Sequence, residues 1–262
     1  MKKTIAGLAV AATLSALVFI NVPFLFASDM DDRIESSARA SYVFKTYLKD
    51  DDVNVQSKDG IVTLTGTVAE ESDKALARET VASLPDVQRV DNKLKLKGEV
   101  HAMYSNAWLI AKVKSTLLFH RNVSATGTEV LAEKGVVTLR GEAINEAQKD
   151  LSTEFAKDVE GVKGVKNEMT VSTATKESGE KTMGEKMDDI GESIDDASVT
   201  ALVKTTLMYH RSTSALKTTV ETKEGVVNLG GKAKNAAEKD LATKLVSDVH
   251  GVKQVVNNMT VG

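Results

Sequence analysis

Cysteine is missing from all 262 residues of this chain, so no disulfide bond can form and no lipid can be attached through a cysteine. Proline occurs twice, tryptophan once, and aromatic residues together make up 4% of the chain. Hydrophobic cores must therefore be built mostly from valine, leucine, isoleucine and alanine.

A strong excess of charge of either sign is also missing. The chain has 34 Lys and Arg against 37 Asp and Glu, a formal net charge of −3. This mildly acidic balance argues against general nucleic-acid binding. Any attraction to an anionic lipid surface has to come from a local cationic patch, because the whole molecule carries the wrong sign.

Common signatures of catalysis are missing as well. The four histidines show no metal-binding spacing, and no Gly-x-Ser-x-Gly turn presents a nucleophilic serine. His120 and His210 hold equivalent positions in two repeats, each followed by arginine, so they are not expected to converge on one metal. We predict that the protein is not an enzyme and needs no cofactor or metal.

What the chain does contain is a seven-residue pattern, repeated as GIVTLTG at 60–66, GVVTLRG at 135–141 and GVVNLGG at 225–231. Its flanks match too, because a valine stands 21 residues after each final glycine and an asparagine five residues later. A unit of about 65–70 residues is too long for a solenoid repeat and fits a small domain. The predicted structural repeat positions are Gly60, Gly66, Gly135, Gly141, Gly225, Gly231, Asn92, Asn167 and Asn257.

A phosphate-binding glycine loop is the alternative interpretation of this pattern. Such loops need backbone N–H groups that converge at a helix start, usually with a Lys and a Ser or Thr. Here the residues between the glycines are valine, threonine and leucine in a strand pattern, and no Gly-Lys-Ser/Thr follows. The structural interpretation is therefore favoured.

Each copy changes its hydrophobic period along its length. Two stretches rich in Val and Thr flank a charged turn ending in glycine, which predicts a β-hairpin. A helix with apolar residues four apart follows and is expected to stop at Gly161, Gly251 or, in the first copy, Pro85. A third strand comes next, and another helix precedes the hairpin. The order α-β-β-α-β predicts an α/β (α+β) fold in which two helices cover one face of a three-stranded mixed sheet.

The turn-strand motif, the helical spacer and the final V-x-x-V-x-N-x-M/L pattern together resemble the BON domain. The resemblance covers three copies, at 28–98, 104–173 and 197–262. It implies the fold just described, a location in the bacterial cell envelope and attachment to phospholipid surfaces. Lipoprotein members of that family carry a lipidated cysteine, which this chain lacks.

Residues 1–27 have a basic start, an apolar core and a final alanine, which is typical of a secretory signal peptide cleaved after Ala27. A retained membrane anchor is the alternative, since the apolar stretch is long. Loss of Lys2 and Lys3 by cleavage makes the formal charge −5. We expect a periplasmic protein, peripheral to a membrane at most.

Residues 174–196 separate the second and third copies. The first half reads as a linker, whereas Met183, Met187, Ile190 and Ile194 form a helical stripe that leads into the third copy. We expect this amphipathic stripe to cover a neighbouring domain. A membrane-facing role is the alternative, although the many acidic residues around it disfavour contact with anionic lipid.

The candidate binding site is a second stripe on the first helix of the second copy. Aromatic and cationic side chains there are suited to the headgroup layer of a membrane. The predicted lipid-binding residues are Tyr104, Trp108, Lys112, Lys114, Phe119 and Arg121. Packing of Trp108 on a neighbouring copy is the alternative.

These observations favour a non-catalytic, exported envelope and osmotic-stress protein that binds anionic phospholipid through its BON-like domains. Two other functions stay open. A periplasmic chaperone would hold unfolded clients on exposed apolar stripes and strand edges, and a scaffold would bind other envelope proteins. Nucleic acid is not an expected partner.

Overall fold

A computed structural model describes residues 24–97, 104–123, 127–171, 194–213 and 218–262, which form three domains of the same order. Domain 1 contains α1 (Phe24–Ala40), α2 (Tyr42–Thr46), β1 (Asp52–Lys58), β2 (Ile61–Val68), α3 (Glu71–Ala82), β3 (Arg89–Asn92) and β4 (Lys95–Leu96). Domain 2 contains α4 (Asn106–Phe119), β5 (Thr128–Glu133), β6 (Val136–Ala143), α5 (Glu146–Asp158), β7 (Gly164–Asn167) and β8 (Thr170–Val171). Domain 3 contains α6 (Asp196–Tyr209), β9 (Thr218–Lys223), β10 (Val226–Ala233), α7 (Ala236–Ser247), β11 (Gln254–Asn257) and β12 (Thr260–Val261).

The predicted fold class is confirmed in all three domains. The central strand pairs antiparallel with its hairpin partner on one side and parallel with the third strand on the other. Domain 1 differs in its first helix, which is broken at Ser41, the N-cap of α2. The third strand also differs from the prediction, because it is interrupted and resumes as a two-residue segment further along the central strand.

The repeated asparagine explains that interruption. In domain 2, Asn167 Oδ1 accepts the N–H of Met169 at 3.0 Å, while its Nδ2 donates to the carbonyl oxygen of Lys149 on α5 at 2.7 Å. Asn92 and Asn257 make the equivalent bonds to Lys74 and Lys239. The side chain thus ends the pairing of the strand and ties the sheet to its helix.

The hairpin glycines lie where the pattern predicts. At the turn of domain 2 both Lys134 and Gly135 have positive φ, 51° and 88°, the conformation of a type I′ turn. At the last glycine of the pattern, Gly141, φ is 131° and an added Cβ would overlap the carbonyl oxygen of Gly127. Glycine is required at both places for backbone reasons.

The predicted helix stops are too late. Helix α5 ends at Asp158 rather than Gly161, and α7 ends at Ser247 rather than Gly251. In domain 1, α3 ends at Ala82, before Pro85. Gly251 serves a different purpose, because a Cβ there would lie 2.8 Å from Val199 Cγ2, so the glycine lets the first helix pack closely.

Domains 1 and 3 share one continuous hydrophobic core, whereas domain 2 has a core of its own to which Leu245 of domain 3 contributes. Helix α6 is central to the shared core, since it is buried against both its own sheet and α3 of domain 1.

Ile194 packs against this shared core, while the rest of the predicted stripe, Met183, Met187 and Ile190, lies outside the described residues. Residues 1–23 of the predicted signal peptide lie outside them too. Among the helices that the structure describes, none combines the length and the apolar character needed to cross a bilayer.

Candidate functional site

Two of the predicted lipid-binding side chains lie inside the junction of the three domains. The Phe119 side chain is buried, and its ring centroid is 5.6 Å from that of Tyr47 in domain 1. Lys112 is only 7% exposed, and its Nζ lies 3.4 Å from the ring centroid of Tyr209 in domain 3. The prediction that Lys112 and Phe119 face lipid is therefore wrong, because α4 turns this side toward its neighbouring domains.

The desolvation cost of burying the Lys112 ammonium group is offset by nearby carboxylates and an aromatic ring. Desolvation lowers the pKa of Lys112 to about 8, although nearby Glu71, Glu70 and Asp73 act in the opposite direction. These three carboxylates belong to the start of α3 in domain 1. Lys112 thus joins all three domains through charge and ring contacts.

Arg121 is also committed to a neighbouring domain. Its Nη2 donates to the carbonyl oxygens of Ser247, Val249 and Val252, at 3.0, 3.0 and 2.6 Å. Its backbone N–H donates to the carbonyl oxygen of Asp248 at 3.0 Å. The structure thus places the Arg121 guanidinium against domain 3 rather than on an open surface.

The remaining predicted residues, Tyr104, Trp108 and Lys114, reach the surface of domain 2. Tyr104 is 46% exposed and contacts Trp108 edge-on at 5.3 Å between ring centroids. Its hydroxyl donates to Glu160 Oε1 at 2.8 Å. Trp108 is half-buried against the core of domain 2, to which Leu245 of domain 3 contributes.

Leu118 is a member of this surface that the sequence reasoning missed. It is 39% exposed and follows the exposed Lys114 by four residues. Each residue of a helix advances about 100°, so four side chains, those of Trp108, Ala111, Lys114 and Leu118, fall within about 120° of the circumference of α4. We call the surface that these four residues form the outer α4 face.

Domain 3 uses the equivalent face of α6 to bind domain 1. Ser198 occupies the place of Trp108, and its Oγ accepts the N–H of Val43 at 3.0 Å. Lys204, equivalent to Lys114, pairs with Glu79 of α3 at 3.2 Å. A small residue stands where another domain approaches, whereas a partly buried tryptophan holds the equivalent place in domain 2.

Domains 2 and 3 meet through two reciprocal histidine–aspartate pairs. His120 Nδ1 of domain 2 lies 3.1 Å from Asp248 Oδ2 of domain 3, and His210 Nδ1 of domain 3 lies 2.5 Å from Asp158 Oδ2 of domain 2. The two imidazole rings are 5.8 Å apart between centroids. The sequence did not predict that these equivalent histidines would lie side by side; they do so because domains 2 and 3 contact each other reciprocally through the same repeat positions.

Burial and hydrogen bonding set the charge state of this junction. Desolvation lowers the pKa of His120, outweighing the opposite effect of Asp248. Burial alone would raise the pKa of Asp158, but hydrogen bonds from His210 and Ser212 outweigh it and hold the pKa below its ordinary value. A neutral His120 and an ionised Asp158 satisfy both conditions. Among the described residues, no group of three or more metal-ligating side chains gathers here.

Acid should weaken this junction. The depressed pKa of His120 means that its stabilising contribution is fully present above its ordinary pKa of about 6.5 and is lost as the pH falls. His120→Asn keeps a hydrogen-bond donor near the Nδ1 position but does not titrate. We expect this variant to lose less free energy of unfolding, measured with urea, between about pH 7.5 and 5.5 than the wild type loses.

A comparison of the wild type with His120→Asn isolates the contribution of His120, because Asp73 is present in both and changes stability with pH in the opposite direction. Desolvation first, and the charge of Asp51 second, raise the pKa of Asp73 to about 7, so its contribution grows as the pH falls. An identical pH dependence in the wild type and in His120→Asn would contradict the assignment to His120.

Comparison with known proteins settles the family. A model described as the BON domain matches residues 30–98, 105–173 and 195–262. The chain belongs to the BON-domain family. The three BON domains thus account for nearly all of the described structure, and the motif resemblance is confirmed.

Three relatives resemble parts of this BON protein. It is 30% identical to "Osmotically-inducible protein Y" of Escherichia coli (strain K12) over 198 residues, which are 76% of this chain and 92% of that protein. It is 31% identical to the "21 kDa hemolysin" of Actinobacillus pleuropneumoniae and 30% identical to "Outer membrane lipoprotein DolP" of Haemophilus influenzae. Each of these two matches spans 115 residues, 43% of this chain and 59% of the relative.

Proposed function

We propose that this protein is an exported, non-catalytic envelope protein of the osmotic-stress response, and that BON domain 2 binds anionic phospholipid surfaces. The relatives support the setting, since one carries the name of an osmotically inducible protein and another that of an outer membrane lipoprotein. The binding surface in this proposal is the outer α4 face together with Tyr104.

The observation that carries the proposal is the difference between equivalent faces of domains 2 and 3. On α6, Ser198 and Lys204 contact domain 1, whereas the equivalent Lys114 of the outer α4 face is exposed beside the exposed Leu118. Indole and phenol rings favour the headgroup layer of a bilayer, and each Lys near an anionic surface contributes about 1 kcal/mol. Trp108, Tyr104 and Lys114 supply these groups beside the apolar side chain of Leu118.

Substitution of Lys114 by alanine should weaken co-sedimentation with phosphatidylglycerol-containing vesicles about fivefold, because a contribution of about 1 kcal/mol is removed. Trp108→Ala should weaken binding too, and the fluorescence of wild-type Trp108 should shift to the blue on binding. Added salt should weaken binding, since the lysine term is screened. Lys223→Ala is the matched control, since Lys223 is exposed on the hairpin of domain 3.

Equal vesicle binding by Lys114→Ala and the wild type, with unchanged Trp108 fluorescence, would remove the outer α4 face from the proposal. If wild-type binding is indifferent to anionic lipid altogether, the phospholipid function itself fails.

A chaperone or scaffold function is the second candidate, favoured by the distribution of exposed apolar groups. Of the eight large hydrophobic side chains exposed in the described part of the chain, six belong to domain 2: Tyr104, Leu118, Leu131, Val136, Ile144 and Leu151. Surfaces of this kind also suit unfolded clients or envelope proteins. Suppression of client aggregation in the absence of vesicles, lost in Leu131→Ser but retained in Lys114→Ala, would favour this function over lipid binding.

Export is tested at the N-terminus. Mass spectrometry of the protein recovered from the envelope should give Ser28 as the first residue, because the apolar segment before it has the pattern of a cleaved signal. This cleavage leaves intact the buried residues of α1, of which Ile34 and Ala38 belong to the shared core. Recovery of a chain that begins at Met1 would support a retained anchor instead.

A further inference from the structure

An exposed carboxylate lies at the edge of the proposed lipid-binding surface of domain 2. Glu160 follows α5, and its Oε1 accepts the hydrogen bond of the Tyr104 hydroxyl at 2.8 Å. Glu160 is exposed and makes no ion pair with any residue of the described ranges. Because anionic lipid repels a carboxylate, attraction to anionic headgroups alone leaves Glu160 unexplained.

The fold does not require an aromatic pair and a carboxylate at these places. The equivalent positions of domain 3 hold an aliphatic, a small and an imidazole side chain, namely Ile194, Ser198 and His250. Tyr104 and Ile194 each pack over the glycine that lies just beyond the second helix of their domain, Gly161 and Gly251 respectively. That packing needs a bulky side chain but no phenol hydroxyl. The aromatic rings and the carboxylate therefore distinguish domain 2 from domain 3.

The two aromatic rings beside Glu160 are fixed by the structure around them. Tyr104 has a φ of 62°, a left-handed conformation that bulky residues rarely adopt. Strained residues of this kind persist where their surroundings hold them, and they are common at binding sites. The exposed Tyr104 ring contacts Trp108 edge-on, and Trp108 already attracts one cation, since Lys112 Nζ lies 5.6 Å from its ring centroid. Domain 2 thus presents fixed aromatic surface next to a carboxylate.

Hydrogen-bond acceptors remain available at this place. The hydrogen bond to Glu160 is the main cause that raises the pKa of Tyr104, so the phenol stays protonated and its oxygen can also accept. Glu160 Oε2 has no partner in the described part of the chain. Two acceptors, a negative charge and aromatic rings suit a primary ammonium group, which is positive and donates three hydrogen bonds. A quaternary ammonium group carries the same charge but has no proton to donate.

We infer that Tyr104, Trp108 and Glu160 bind the primary ammonium group of a phosphatidylethanolamine headgroup. The inference rests on the proposed function, since it names a second lipid that the outer α4 face meets beside the anionic one. Lys114 lies about 9 Å further along the axis of α4 than Trp108, so it attracts the phosphate of a neighbouring anionic lipid. The surface therefore suits a bilayer that mixes ethanolamine and anionic headgroups. A free amine would supply the same ammonium group, and the experiment separates the two sources.

The test compares two kinds of vesicle that have the same fraction of phosphatidylglycerol and the same acyl chains. The remaining lipid is phosphatidylethanolamine in one and phosphatidylcholine in the other, so the ammonium group is primary in the first and fully methylated in the second. We expect the wild-type protein to co-sediment with the ethanolamine vesicles at least about fivefold more tightly, the effect of gaining one hydrogen bond.

Variants distinguish recognition of the ammonium group from a general effect of lipid packing. Glu160→Gln should remove most of the preference for ethanolamine vesicles, yet it should bind the phosphatidylcholine vesicles at least as well as the wild type, because a repelled charge is gone. Tyr104→Phe should reduce the preference while it keeps the ring. Glu146→Gln is the matched control and should keep the preference, since Glu146 is an exposed carboxylate at the start of α5. Circular dichroism checks that each variant is folded.

Equal binding of the wild type to both kinds of vesicle would overturn the inference, and so would a preference that Glu160→Gln retains in full. Soluble glycerophosphoethanolamine is the probe for the other source. A saturable change that it causes in Trp108 fluorescence without vesicles would assign the ammonium group to a free molecule and overturn the headgroup assignment. Failure of the proposed function gives a different result, because the wild type then binds neither kind of vesicle.

Discussion

Replacing Phe119 with alanine should lower the free energy of unfolding by about 3–5 kcal/mol, the range for a buried aromatic residue truncated in a core. Its side chain is 1% exposed and meets Tyr47 of domain 1, so the cavity would open where the three domains join. Urea unfolding followed by circular dichroism measures the change.

Leu118→Ala is the matched control for this prediction, because Leu118 is adjacent on the same helix but 39% exposed. We expect that substitution to change stability by much less. A small loss of stability in Phe119→Ala, together with weaker vesicle binding, would instead indicate that Phe119 contacts lipid.

Replacing Asp158 with alanine should destabilise the contact between domains 2 and 3 by about 2–3 kcal/mol, because His210 Nδ1 would be left buried without its acceptor. Ser212, whose Oγ donates to Asp158 Oδ1 at 2.6 Å, would lose its partner as well. Asp248→Ala should act similarly through His120. Denaturant unfolding and limited proteolysis of the contact are the measurements.

Asp150→Ala serves as the control, since Asp150 is exposed on the same helix. Equal stability of Asp150→Ala and Asp158→Ala would show that the reciprocal pairs contribute nothing to holding the domains together.

The fold could be predicted because each repeat obeys local rules that neighbouring domains do not alter. Gly135 needs a positive φ for its turn, and Asn167 stands where the strand breaks. Both requirements are met within about 20 residues of chain, so a repeated pattern reveals them.

The candidate site could be predicted only in part, because burial between domains has no local signature. Lys112 and Phe119 share a helical stripe with Trp108, and the spacing does not tell which side of the helix meets another domain. The one available signal of burial between domains was the residue type found at equivalent positions of the three copies. Ser198 replaces Trp108 in domain 3, while domain 1 has no histidine to match His120 and has Ser83 in place of Asp158. Domain 1 thus lacks both halves of the reciprocal pairing and docks differently.

The shared core of domains 1 and 3 has a consequence for the order of folding. The buried side of α6 that completes this core lies about 100 residues after β4, the last strand of domain 1. A chain that emerges N-terminus first therefore cannot complete the core of its first domain until α6 of its third domain has appeared. Such long-range contacts slow folding, and they leave apolar surface of domain 1 exposed until α6 packs against it. Domain 2 can form most of its separate core in the interval, although Leu245 of domain 3 completes that core later.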